Sequence, residues 1–332
     1  MEEALSRVEA IAANGQPAPR VTVIILNYNG AAWLERCLRS LRAQTVFDQI
    51  EVIVADNASP DKSDRLAADL MRDWPNACVV QHGENLGFCE GNNRAAAQAR
   101  GKWLFFLNND TWLEPDCIEL LLNTIEANRA DAGTPLMLNY DDDSVQSAGA
   151  AGFDIIGFMS FAKPSPRPKE IFVVGGCCLL ILKDLFDRLG RFDSRFFMYA
   201  EEYDLSWRIW SSGGRAMLVP QSRVHHRGAA AVNPAGGTRL AEVRTSESKR
   251  FYTNRNCLMV LLKNCQHVLL TMVLFQIAVL CCEALVAFIV YHSPSLVKRA
   301  YLDAIIDCWR LRPHILAERQ RIAAYRRVGD WK

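Results

Sequence analysis

Residues 103–115 read WLFFLNNDTWLEP, five apolar residues that end on Asn108, Asn109 and Asp110 and leave toward Pro115. A fully buried parallel strand is an unbroken apolar run, and its carboxyl end is where open α/β sheets place ligands. A carboxylate there is a hard oxygen donor, the kind that holds a divalent cation against a diphosphate. Asn and Asp equally suit a polar turn capping a following helix, with Pro115 in its first turn, so these residues alone leave both readings open.

The elements that must position this stretch follow from period. VTVIILNYN (21–29) and IEVIVADNAS (50–59) read as buried strands, AAWLERCLRSLRAQ (31–44) puts Leu34, Leu38 and Leu41 on one helical face, and KSDRLAADLMRDW reads as a second helix. A short strand near 78–81, a helix near 88–100 and the 103–107 strand complete a βαβαβαβ order. That order predicts an α/β fold, a doubly wound, mostly parallel sheet with helices on both faces. Its strand ends share one rim, carrying Asn27, Asp56, Asn85 and the 108–110 turn. The proline-rich KPSPRPK (163–169) is a loop suited to link two parts.

With 332 residues, half of them apolar, the chain has room for a large domain plus an appendage. Its net charge of +1 does not suggest a nucleic-acid partner. The N-terminal residues MEEALSRVEA do not read as a secretory signal, and 11 cysteines without a CxxC pair fit reduced thiols in the cytosol. A nucleotide suits the rim, yet NYNGAAW after the first strand is neither GxGxxG nor GxxxxGK[ST]. Without those backbone cradles, a diphosphate is most easily neutralised by Mg2+ or Mn2+ on oxygen ligands such as Asp110.

VTVIILNYNG, EVIVADNASPDKS, GENLGFCEGNN, LFFLNND, VGGCCLLI, GRFDSRFFMYAEEYDLSWR and VHHRG occur in order over about residues 20–260. In this set the chain resembles glycosyltransferase family 2, the inverting GT-A enzymes, most closely the bacterial rhamnosyltransferase-like branch. The resemblance implies transfer of a sugar, rhamnose or another hexose, from a nucleotide diphosphate donor to a hydroxyl. Asp56 matches the acid that holds the nucleotide base, with an Asx turn to Asn57 and Ser59 as the alternative. Asn27 and Asn29 match the loop beside it, Asn85, Gly87 and Asn93 the loop lining the nucleotide, and Asn109 belongs to the same donor-binding set. NND stands where the family has its DxD metal motif, with Asn108 and Asp110 as outer positions. His226 matches a histidine that completes the metal shell or contacts the diphosphate. Adjacent strand residues face opposite ways, so His225 should not share that site.

Glycosyl transfer needs a base, because a hydroxyl is a poor nucleophile until its proton is taken. The resemblance places that role on Glu202, where the family has Asp, with Glu201 beside it as the second candidate and Asp204 the next. Helix-dipole capping is the alternative for these acids. Asp204 and Arg208, one turn apart, read as a structural pair.

Residues 268–291, VLLTMVLFQIAVLCCEALVAFIVY, are long enough to cross a bilayer, but Gln276 and Glu283 fall on one face. A membrane-inserted helix, a helix lying in the interface and a buried dimerisation helix all fit. From Lys298 to Lys332 nine Lys or Arg stand against four Asp or Glu, suited to anionic lipid heads. The organisation expected is a tail over 1–19, a GT-A domain over 20–260 (nucleotide-binding half 20–112, acceptor and catalytic half 113–260) and an apolar helix with a basic helical tail over 261–332. The expected activity is an inverting, metal-dependent hexosyltransferase at the cytoplasmic face of the membrane, using a saccharide or lipid-linked saccharide acceptor. A membrane-bound scaffold with a degenerate site is a second reading. A sugar nucleotidyltransferase is a third, for which the glycine-rich basic loop is missing.

Overall fold

The computed structural model describes residues 18–153, 159–228 and 246–330, so residues 1–17 of the expected tail lie outside it. Its first half alternates as expected: β1 Val21–Asn27, α1 Leu34–Arg42, β2 Ile50–Asp56, α2 Ser63–Leu70, β3 Ala77–Gln81, α3 Gly87–Ala96 and β4 Trp103–Asn108. There follow β5 Thr111–Leu113, α4 Cys117–Ala127, β6 Ala132–Asn139, β7 Val145–Ser147, β8 Ala150–Phe153, β9 Met159–Phe161 and β10 Lys169–Glu170. Then come β11 Cys178–Leu182, α5 Lys183–Arg188, α6 Glu201–Ser211 and β12 Ala216–His226. The C-terminal helices are α7 Glu247–Asn264, α8 Thr271–Tyr291, α9 Pro294–Val297, a π turn over Lys298–Leu302, α10 Asp303–Arg310 and α11 Arg312–Tyr325.

The main sheet runs β10-β12-β6-β11-β4-β1-β2-β3, with β5 on β12 and β7 on β6, while β8 and β9 form a separate ribbon. β3, β2, β1 and β4 are parallel, and β11 enters antiparallel between β4 and β6. Alternate β1 residues serve two cores: Val21, Val23 and Ile25 pack with Leu34, Leu38 and Leu41 of α1 and with α4, whereas Ile24 packs with the layer formed by α3, α5, α6 and the C-terminal helices. The expected doubly wound sheet with helices on both faces is therefore present. Register sets the rim, since Asn27 pairs with Asp56 and Leu26 with Asn108.

Four details differ from the sequence reading. NND is followed by a strand and not by a helix: Thr111 and Leu113 are buried, and β5 pairs His226 with Thr111 before α4 begins at Cys117. KPSPRPK runs from β9 into β10, which lies on the edge of the main sheet, so it joins parts of one unit. The division expected at 260/261 falls inside α7, whose Leu258 to Leu261 belong to the core under the sheet. α8 is long and apolar enough to cross a membrane, by length and composition. Gln276 is buried on it, whereas Glu283, expected on the same covered face, is exposed.

Candidate active site

At the carboxyl ends of β1 and β2 a web of polar side chains links the two strands to the loops that follow them. Asn27 Nδ2 donates to Asp56 Oδ1 at 2.7 Å and to Ser63 Oγ at 2.7 Å, while its Oδ1 accepts from Asn109 Nδ2 at 2.9 Å. Asp56 also accepts from Ser59 N and Ser59 Oγ, so the Asx turn forms and the buried carboxylate organises the corner. The Asn29 backbone, in the left-handed region at φ 54°, donates to Ser59 Oγ. Gly30 has no side chain because a Cβ there would collide with the Asn27 and Asn109 amides. Ser59 was expected only as the Asx-turn partner of Asp56, and Ser63 and Gly30 were not singled out from sequence; the signal available was their spacing after each strand end.

Asn85 Oδ1 caps Gly87 N at 3.0 Å. Gly87, at φ +75°, is required by the approach of Phe197, whose ring and carbonyl fill the place of a Cβ. Asn93 is fixed differently from the expectation that it lines the nucleotide. Its Nδ2 donates to Phe192 O at 2.8 Å and its Oδ1 accepts from Phe192 N at 3.1 Å, so the buried amide staples α3 to the loop before α6.

The 108–110 turn meets the end of β12. His226 Nε2 lies 3.4 Å from Asp110 Oδ1, and its Nδ1 donates to Gln146 Oε1 at 2.7 Å. With Nδ1 engaged by Gln146, Nε2 is the ring nitrogen turned toward the carboxylate, the orientation of a histidine whose outer nitrogen is held by a second partner. His225 points the other way, stacked on Trp112 with ring centroids 3.5 Å apart. Among the described residues no three His, Cys, Asp or Glu side chains gather as a ready-made cage. Asp110 and the His226 imidazole offer a carboxylate oxygen and a ring nitrogen at one corner, a partial ligand set whose remaining positions a hard cation would fill from a diphosphate.

Glu201 and Glu202 open α6. Both have a buried Oε2 without a hydrogen-bond partner. Glu202 lies over Gly176, whose missing Cβ leaves room for the carboxylate, and the next residue, Cys177, accepts from Asn108 N at 2.9 Å. Through that turn the acid and the NND corner share one support. Burial pushes the Glu202 carboxyl up to about 7. Burial, and then the neighbouring Glu202, hold Glu201 well above the usual carboxylate range.

The pair is aimed by a turn in which Phe197, Tyr199 and Ala200 all have positive φ, at 63°, 70° and 64°. Such non-glycine strain persists only where the surroundings over-determine it. Here α7 supplies them: Asn256 Nδ2 donates to the carbonyls of Phe196, Met198 and Tyr199 at 3.0, 2.8 and 2.7 Å, and Arg255 to those of Arg195 and Phe196. Below it, Lys263 Nζ bridges Asp193 at 2.5 Å and Asp204 at 3.1 Å, and Asp204 pairs with Arg208, all buried. Burial alone would raise the Asp204 carboxyl, but Arg208 and Lys263 lower it. Asp204 is thus a structural anion, as its spacing from Arg208 indicated. Sequence reasoning did not single out Arg255, Asn256 and Lys263, whose partners lie some 57 to 70 residues away along the chain.

Residues 22–190 match the model of glycosyl transferase family 2. An N-acetylglucosaminyl-diphospho-decaprenol L-rhamnosyltransferase of Mycobacterium tuberculosis is 30% identical over 237 residues, covering 62% of this chain and 75% of that protein. Among solved structures, S. aureus TarS 1–349 in complex with UDP-GlcNAc superposes with a TM-score of 0.59 at 16% identity, covering 92% of this chain and 89% of that one. GalNAc-T7 with UDP, GalNAc and Mn2+ gives a TM-score of 0.60 at 20% identity; the match covers 74% of this chain and about half, 48%, of that structure. The matched segment runs from β1 past α5 and takes in the strand-end web and the NND corner, and on this evidence the chain belongs to glycosyl transferase family 2.

Proposed function

We propose that the protein is an inverting glycosyltransferase that moves a hexose, rhamnose being one candidate, from a nucleoside diphosphate donor to a hydroxyl of a lipid-linked saccharide. The observation that carries this reading is the Glu202 carboxyl, buried over Gly176 with a pKa near neutrality and braced on the turn that holds Asn108. A base poised near the working pH is what proton abstraction from a hydroxyl needs. The Asn27, Asn29, Asp56, Asn85 and Asn109 corner would seat the nucleotide, and Asp110, His226 and Asn108 would hold Mg2+ or Mn2+. When bound, that cation would neutralise the charge that develops on the departing diphosphate. Glu202 takes the acceptor proton as the hydroxyl oxygen bonds to the anomeric carbon; the bond to the diphosphate breaks on the opposite face, and the nucleoside diphosphate leaves with its electron pair. The M. tuberculosis relative's lipid-diphosphate acceptor, the basic C-terminal tail and α8 together support work at the cytoplasmic face of a membrane.

A panel of nucleotide sugars, scored by thermal shift with and without Mn2+ and then by transfer to a polyprenyl-diphosphate saccharide, tests the proposal. Metal-dependent stabilisation by one donor followed by product of inverted configuration is the expected result. Donor binding without transfer or hydrolysis would favour the scaffold reading.

A further inference from the structure

The C-terminal helices turn apolar side chains outward where no described residue covers them. On α8, Leu274, Phe275, Leu285 and Ile289 are 57 to 69% exposed. Beyond it, Leu302, Ile306 and Trp309, spaced four and three apart, lie on one helical face and are 52, 46 and 68% exposed, with Leu316 at 59% in the next helix. The opposite face, Ala300, Ala304 and Cys308, is buried. Basic groups border this stripe. Lys298 and Arg299 have side chains 72 and 70% exposed, Arg310 is exposed, and the Arg312 guanidinium sits 5.0 Å over the Trp309 ring. The pairs Lys298–Asp303 and Arg299–Glu247 are exposed and therefore weak, free to exchange for an anionic headgroup. An apolar face with an aromatic residue and a cationic border is complementary to an anionic bilayer surface.

The inner side of α8 decides how it meets that surface. Met272, Val273, Gln276, Leu280 and Ala287 are buried against the protein, a contact running over sixteen residues, about 22 Å of helix from first to last. That is most of a hydrocarbon layer about 30 Å thick. A bilayer-crossing α8 would carry its neighbour α7, with buried Arg255 and Lys263, into the hydrocarbon. We propose that α8 and the Leu302–Ile306–Trp309 face form one in-plane anchor, half sunk into a leaflet rich in anionic phospholipid, that holds the transferase on the membrane without crossing it. The anchor rests on the proposed lipid-linked acceptor for its purpose, and on these two faces for its evidence.

The full chain, carrying a C-terminal epitope, is mixed with sealed phosphatidylcholine vesicles with or without phosphatidylglycerol, sedimented, and then exposed to external protease. Expected are binding that needs phosphatidylglycerol, a loss of about tenfold or more in the variant Leu302→Gln, Ile306→Gln, Trp309→Gln, and cleavage of the epitope. Equal binding to both vesicles, undiminished binding of the variant, or a protected epitope, which means α8 crosses, would each overturn the proposal. So would a detergent-free dimer that ignores vesicles, since a second copy would then cover the face. Thermal shift with UDP and Mn2+ is read on every sample. Its loss in the wild type would count against the transferase reading alone, and its retention in the variant shows that the variant folds.

Discussion

The strand-end corner and the C-terminal helical layer are built with opposite polarity. Around β1 and β2 the interior is mostly Val, Ile and Leu, with the Thr22–Glu51 pair at the amino ends, and amides and carboxylates gather at the carboxyl rim. In α7 and α8 the interior holds Arg255, Asn256, Lys263, Asn264 and Gln276, while Leu274, Phe275, Leu285 and Ile289 face outward. The corner is organised for a ligand that arrives from water. The helical layer presents apolar side chains on one side and holds the turn before Glu201 on the other. Support and anchor therefore occupy two sides of the same few helices.

Breaking the catalytic end of this comparison gives the largest expected effect. Glu202→Gln should lower transfer about a hundred- to ten-thousand-fold while donor-induced thermal shift survives, and Glu202→Asp should restore much of the rate. The rate in the wild type should rise with pH through about 7 as the carboxyl becomes the base. If Glu201→Gln abolishes transfer and Glu202→Gln does not, the base is its neighbour.

The helical layer is tested through its buried cation. Lys263→Met leaves Asp193 and Asp204 without it and should cost about 3–5 kcal/mol in denaturant unfolding, compared with little for a surface lysine such as Lys298→Met. Unchanged stability would mean that the layer is not a support for the α6 turn. For the same reason, removing residues 262–332 should destabilise the catalytic domain as well as detach it from membranes.

Intermediate effects belong to the metal corner. Asp110→Ala should lose Mn2+-dependent donor binding, whereas Asn108→Asp should tighten it. Gln146→Ala, which frees the His226 ring and also removes bonds to Asn139 and the His226 carbonyl, should weaken metal affinity roughly ten- to a hundred-fold by titration calorimetry. A normal metal response in Asp110→Ala would remove the corner from the mechanism.

The smallest effect concerns Glu201. Its folded carboxyl is held above the usual 4.5, so the stability it contributes is present at low pH and lost as pH rises from there through the raised value. Glu201→Gln should therefore melt higher than the wild type at pH 8 and like it at pH 4. Equal melting at both values would show that the acid is not protonated in the fold.

Much of this molecule is legible in its sequence where local pattern decides structure. β1, β2 and β4 are apolar runs that burial makes unambiguous, and Asn27, Asp56 and Asn108 fall on one rim because strand ends are punctuated by polar residues. β5 was hidden because three residues ahead of Glu114 and Pro115 carry too little periodicity, and because its partner, β12, lies over a hundred residues away. Asn93 stands in a nucleotide-loop pattern, yet its amide is saturated by the Phe192 backbone, a contact 99 residues distant. Asn256 and Lys263 escaped notice for the same reason. The tail was read as a charge excess, and the spacing of Leu302, Ile306 and Trp309 gained meaning only once the other face of that helix was seen to be buried.

The Asn256 clamp also imposes an order on biogenesis. During synthesis the strand-end residues leave the ribosome well before α7, although β11 is needed to join β4 to β6 and α7 to complete the core under the sheet. The strained turn before Glu201 has no partner for its carbonyls until residues 255 and 256 leave the ribosome, with the apolar α8 immediately behind them. On the proposed reading, the turn that presents Glu202 is therefore completed only as the apolar α8 is being made.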